Sequence, residues 1–150
     1  MIAQIAVSGL ALLAVVQKDV AAAKQQYYSL QHGATMVTAL IAPISVGTLS
    51  KRVLGLLAET MGNLDQAAQH FDDALAFCRR GYRPELAWTC CDYADTLLQR
   101  NEPGDREKTV SLLDDALAVG HAAFDGAGTV QAALSGCYWR VGMVPLSLLH

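Results

Sequence analysis

The run Leu54-Gly55-Leu56-Leu57-Ala58-Glu59-Thr60-Met61-Gly62-Asn63-Leu64-Asp65-Gln66-Ala67, continued by His70-Phe71 and Ala74-Leu75, decides the fold. On each side of Gly62-Asn63 the residues follow helical spacing. Gly55, Ala58, Ala67 and Ala74 are small enough for two helix backbones to approach closely, while Leu54 and Phe71 fill the space beside them. Gly62-Asn63 breaks the chain between the two helices, since glycine admits backbone angles that other residues resist. The reading is an antiparallel helix pair closed by a tight turn.

The pattern recurs on both sides. Upstream, Leu10, Ala11, Ala14, Asp19, Ala23, Tyr27 and Leu30 fall at matching offsets. Downstream, Tyr93, Ala94, Leu97, Asp105, Thr109, Leu113, Ala116 and Leu117 do so once Glu102-Pro103-Gly104 is set aside as a loop. The equivalent positions Ala23, Ala67 and Thr109 are spaced by 44 and then 42 residues. Three such pairs, about the minimum for a stable helical repeat array, predict an all-α protein.

The register places helices over about 3–16, 20–31, 48–61, 65–79, 84–100 and 105–119, with a loop around Gly33, Pro43 and Gly47. Asn63 offers a polar cap to the fourth helix, Pro84 suits the first turn of the fifth, and Asp105 is placed to cap the sixth. From Gly120 the text turns rich in glycine and alanine. The expected division is a repeat domain over 1–119 and an irregular, weakly structured or capping tail over 120–150.

Composition narrows the function. The chain of 150 residues is 53% hydrophobic and 17% charged, with a formal net charge of -3. That imbalance suggests surface that expects covering, and the charge offers no footprint for direct nucleic-acid binding. Ile2 to Val16 carries no charge, and the first cation, Lys18, lies on the wrong side for an export signal. The run is also shorter than the roughly 20 residues of a membrane span. A buried helix, no membrane association and a cytoplasmic location are expected. Cys78, Cys90, Cys91 and Cys137 form no C-x-x-C pair and read as buried thiols.

At this point the residues resemble a known family. The run 54–67, His70-Phe71 and Ala74 to Arg79 are similar to one unit of the tetratricopeptide repeat (TPR). So are Gly81-Tyr82-Arg83-Pro84-Glu85-Leu86-Ala87-Trp88-Thr89, Asp92-Tyr93-Ala94-Asp95 and Pro103-Gly104-Asp105-Arg106. A minimal TPR unit has about 34 residues, so each spacing here holds roughly eight to ten more. More narrowly, these residues look like the TPR-like C-terminal region of large bacterial signalling regulators. In that family a regulatory ATPase precedes the repeats, with an adenylate or guanylate cyclase or a LuxR-type DNA-binding domain elsewhere in the chain. The resemblance covers about 8–119 and is most specific in 53–118. It implies a TPR-like α-solenoid of about three antiparallel helix pairs that relays a signal through protein contacts.

It does not carry over catalysis. The chain has no G-x-x-x-x-G-K-[ST] phosphate loop and no acidic metal pair in a strand context. Relatives typically continue with charged, leucine-rich helix after the sixth, so the break at residue 120 suggests a piece of a longer protein. The expected function is a non-catalytic protein–protein interaction module. A free-standing small adaptor and the regulatory part of a nucleotide cyclase are the alternatives.

Candidate sites follow. Asp72-Asp73 and Asp114-Asp115 point about 100° apart within each pair, which suits a solvated face better than shared acid–base work. His32, His70, His121 and His150 share no ligand spacing, so no metal or cofactor is expected. In TPR arrays the first helix of each pair lines the concave groove. Lys51, Arg52, Glu59, Trp88, Thr89, Asp92 and Asp95 are therefore the groove candidates for a protein or peptide partner, with self-association open. Leu54, Gly55, Ala58, Gly62, Ala67, Phe71, Ala74, Tyr93, Ala94, Leu113 and Ala116 are the structural repeat positions. Tyr27 and Phe71 are expected in the core, and Trp88, Tyr93 and Tyr82 in more open places.

Overall fold

The computed structural model describes residues 2–41, 45–80 and 83–123, and the side chains of 9–31, 51–80 and 85–119. Among these residues there are six helices and no strand: α1 Ile2–Gln17, α2 Val20–Ile41, α3 Ser45–Thr60, α4 Leu64–Cys78, α5 Arg83–Arg100 and α6 Asp105–Ala123. The all-α expectation holds. The chain divides into two compact units, Met1–Phe77 and Cys78–His150.

In the first unit, α1 contacts α2, and both contact α3. The turns joining α1 to α2 and α3 to α4 are built alike. The N–H of Gly62 donates to Glu59 O at 2.8 Å and that of Asn63 to Ala58 O at 2.9 Å, with Gly62 at φ +79°. This pair of bonds around a left-handed residue closes a helix C-terminus by satisfying carbonyls the helix leaves open. Asn63 then accepts from the N–H of Ala67 at 2.9 Å and starts α4.

Forty-four residues earlier the same bonds recur. Lys18 N–H donates to Val15 O at 3.1 Å, Asp19 N–H to Ala14 O at 3.0 Å, and Ala23 N–H to Asp19 O at 2.8 Å. The Asp19 carboxylate also accepts from Ala21 and Ala22 N–H at 3.0 and 3.1 Å, a complete N-cap. The one mismatch is the left-handed residue, which is Lys18 at φ +52° where the later turn has glycine.

Pairing of α3 with α4 runs antiparallel, because Lys51 meets Asp73, position 55 meets Phe71, and Ala58 meets Asn63. Phe71 is fully buried beside Gly55, and the equivalent Ala11 and Tyr27 are buried in α1 and α2. In the second unit α5 contacts α6. Asn101, at φ +53°, ends α5 with its N–H donating to Leu97 O at 2.9 Å. Pro103 and Gly104 (φ +90°) occupy the centre of a Glu102–Asp105 turn, the residue chemistry of a type II turn.

Three readings are corrected here. The loop placed around Gly33 is helix, since α2 runs on to Ile41. The uncharged N-terminal run forms α1, and its described side chains do not read as a buried helix: Ala11 and Ala14 are buried, while Leu10, Leu12, Leu13 and Val16 are exposed. Asp105 does not cap α6 in the usual way. Gly104 O accepts the first helical bond, from Lys108 N–H at 3.1 Å, and Asp105 is the first helical residue. Residues 120–123 continue α6, and the remainder of the expected tail lies outside the described residues.

The repeat positions Ala23, Ala67 and Thr109 are all fully buried. Buried Thr89 and Thr96 bond the carbonyls of Glu85 and Asp92 at 2.8 and 3.1 Å, but the Thr109 hydroxyl has no partner. A buried polar atom without a bond carries its full desolvation cost. Thr109→Val, which keeps the shape and removes the hydroxyl, is expected to raise stability by about 1 kcal/mol. The urea midpoint should rise with no change in slope, and a fall would show that the hydroxyl has a partner. Lys18→Gly should likewise stabilise by about 0.5–1 kcal/mol, since glycine adopts the left-handed angle without a Cβ penalty. The same melts would read it, with the reverse sign expected for Gly62→Ala.

Candidate interaction surface

On α5, Trp88, Asp92 and Asp95 stand at i, i+4 and i+7, which places them on one helical stripe. Trp88 is 47% exposed, and the two aspartates are half-buried. Gln99, exposed and eleven residues beyond Trp88, continues the stripe; its spacing was readable in the sequence. Thr89 sits about 100° off it. It is buried with its hydroxyl turned onto Glu85 O, so it offers a partner no atom, and the groove assignment is corrected. Tyr93 is corrected too. It is buried rather than open, with Lys108 Nζ donating to its hydroxyl at 2.7 Å and lying 4.7 Å from the ring centroid. Tyr82 lies outside the described residues.

On α3, Arg52 and Glu59 share a face at i and i+7, and both are half-buried. Lys51 turns from them toward α4, where its ammonium pairs with the exposed Asp73 carboxylate. Asp72 and Asp114 are exposed, and Asp115 pairs with Arg79 at 3.3 Å. These acids form a solvated face with ion pairs, each contributing little at this exposure. His70 is half-buried, and its Nε2 is hydrogen-bonded to the Tyr27 hydroxyl at 2.7 Å. Burial, with Lys51 nearby, lowers the His70 pKa and keeps the ring neutral near neutral pH, against a smaller pull from Asp73.

A surface not anticipated lies on α1 and the start of α2. Leu10, Leu12, Leu13, Val16 and Val20 are exposed, and Tyr28 is half-exposed. A cavity of about 380 Å³ opens beside it, between Val20, Lys24, Tyr28 and Gln31 of α2 and Met61 and Gln66. The uncharged run was visible in the sequence, but its exposure was not.

Chemical reactivity is muted in what is described. Cys78, Cys90 and Cys91 are buried and form no disulfide, and Cys137 lies outside the described residues. Burial, then the Asp115 charge, pushes the Cys90 thiol up to about 12, so almost no thiolate is present at neutral pH. Among the described residues no group of three or more His, Cys, Asp or Glu could hold a metal ion. Among them, too, no helix is long and apolar enough to cross a membrane. The chain matches no protein-family model, no curated protein and no solved structure.

Among the described residues, Asp105 is a buried carboxylate held by several hydrogen bonds. Its carboxylate accepts from Arg100 Nε at 3.0 Å, from an Arg100 terminal nitrogen at 2.6 Å and from Glu102 N–H at 2.9 Å. The Arg100 hydrogen bonds hold its pKa below the ordinary carboxylate value, against the opposing effect of burial. A depressed pKa means that the fold favours the charged form. Its stabilisation is complete above the ordinary carboxylate range and is lost as pH falls through the depressed value. Asp105→Asn should cost about 2 kcal/mol at pH 7. It should also flatten the loss of stability below about pH 4. Equal acid sensitivity of the two proteins would contradict this assignment.

Proposed function

We propose that this chain is a non-catalytic protein–protein interaction module. In this reading it is a TPR-like α-solenoid of about three antiparallel helix pairs, the repeat region of a bacterial signal-transduction or transcriptional regulator, acting in the cytoplasm. The observation that supports it most is the turn whose hydrogen bonds recur 44 residues apart, together with buried small and aromatic residues at equivalent places. Repetition at this level makes an extended scaffold out of units that each bury only one neighbour-facing side. Scaffolds of that kind act by holding other proteins.

The candidate contact is the α5 stripe. Trp88 provides a large apolar surface, and Asp92 and Asp95 set acidic character along the same line. Exposed tryptophan is a common energetic anchor of protein interfaces, and flanking carboxylates favour a partner segment bearing Lys or Arg. Arg52 and Glu59 of α3 are candidates for further contacts.

A photo-crosslinking residue placed at position 88 in living cells tests this. The expected result is a small set of protein adducts absent from a control at Ser111, an exposed position of α6. Trp88→Ala should weaken binding of the identified partner roughly tenfold or more, while changing folding stability by less than about 1 kcal/mol because the ring is half-exposed. Identical adducts at both positions would overturn the stripe assignment. Turnover of ATP or production of cyclic nucleotide by the purified chain would overturn the non-catalytic reading.

A further inference from the structure

The cavity of the first unit, about 380 Å³, has a volume in the range of small-molecule sites. On α2 its lining is a single helical stripe, in which Val20, Lys24, Tyr28 and Gln31 follow one another at helical spacing. Met61 and Asn63 of the α3–α4 turn and Gln66 of the first turn of α4 complete it.

The polarity of this lining is not the polarity of repeat packing. Forty-four residues on, Lys24 and Gln31 correspond to Ala68 and Leu75 of α4, which are 4% and 3% exposed. An unfilled gap in the packing would keep apolar residues at such positions. Here an ammonium and a carboxamide border the cavity instead.

Charge then selects the ligand. Among the described residues that line the cavity, Lys24 alone is charged, and the acids closest in sequence, Asp19 and Asp65, are not part of the lining. Lys24 makes no ion pair among the described residues, so a carboxylate beside it displaces no partner. The carboxamides of Gln31, Asn63 and Gln66 add donors for carboxylate oxygens. Gln66 also stands in the first turn of α4, where the free N–H groups carry partial positive charge. The exposed faces of Tyr28 and Val20, with Met61, offer apolar surface to a flat hydrocarbon body.

We infer that the cavity between α2 and the start of α4 binds a small aromatic carboxylic acid, its carboxylate at Lys24 and its ring on Tyr28. This goes beyond the protein-contact role proposed above and rests on neither Trp88 nor the solenoid assignment. A bound acid touches α2 and α4 together, beside the Tyr27–His70 hydrogen bond, so occupancy stabilises the first unit.

The test uses the full chain and phenylacetate as the probe, read by amide NMR, with phenylacetamide and phenylethylamine as neutral and cationic counterparts. Phenylacetate is expected to shift amides within 20–31 and 61–66 with a Kd of about 1 mM, the order open to a ligand of about ten non-hydrogen atoms. The neutral amide should bind roughly fivefold more weakly or worse, and the amine should give no saturable shift. Lys24→Gln should raise the Kd for phenylacetate roughly fivefold or more, while Lys24→Arg keeps it within about threefold. Because Lys24 is exposed, neither substitution should move the thermal midpoint by more than about 2 °C. Gln66→Glu, which sets a carboxylate against that of the ligand, should abolish binding. Equal binding of the three probes, an unchanged Kd in Lys24→Gln, or no saturable shift up to about 20 mM would overturn the inference. N-acetylglycylphenylalanine identifies the source of the carboxylate: binding tighter than that of phenylacetate would assign the site to a protein C-terminus and overturn the free-acid assignment. A failure at Trp88 in the crosslinking experiment would leave all of these readouts unchanged.

Discussion

There is no room for one added carbon where α3 crosses α4. A Cβ on Gly55 would lie 2.8 Å from Cζ of Phe71 and 2.9 Å from each Cε. The ring is fully buried, so it cannot swing aside without opening a void elsewhere. The glycine is therefore the condition for the aromatic ring, and the ring is the condition for the close pairing of the helices. In the earlier pair the same two positions hold Ala11 and Tyr27. The tyrosine brings a hydroxyl into a buried place, where a bond is needed, and His70 of α4 supplies it. The polar contact thus ties α2 to α4, which the aromatic–small exchange alone would not do.

The turns complete that constraint. A left-handed residue followed at once by Asp or Asn ends one helix and starts the next within two or three residues, and so short a connection leaves antiparallel pairing as the outcome. This device was legible, because Gly62-Asn63 and the Asp19 equivalent carry the signal in their chemistry. The small–aromatic register was legible for the same reason, since helical spacing shows which positions share a face. The length of α2 was not. Gly33 lowers helix stability by only about 1 kcal/mol relative to alanine, too little to stop a helix held by contacts with α1 and α3. The described part of α2 reaches Ile41, and Pro43 lies outside the described residues. Much of the chain between the first two turns therefore lies in helix.

The candidate surface was legible only in part, and the reason is phase. Choosing α5 as a source of contacts needed only the position of each helix in its pair. Separating Trp88 from its neighbour Thr89 needed to know which side of α5 is covered, and a helix with Cys90, Cys91, Ala94 and Leu97 buried as well does not show a sharp boundary in sequence. Thr89, Thr96 and Thr109 make the same point. Each is polar by type, yet all three are buried, and only the first two meet their hydrogen-bonding need from within the helix.

Exposure is the property that a repeat sequence conceals most. Leu13 and Leu57 sit at one register position, 44 residues apart, and one is half-exposed while the other is inaccessible. Nothing about the leucine decides this; the neighbouring pair does. Both α1 and α2 contact α3 and cover its face. Among the described residues, most of the exposed large apolar side chains lie on α1 and the start of α2. Leu10 and Leu13 thus follow the pattern of α3 without its cover, a difference that the side chains themselves do not encode.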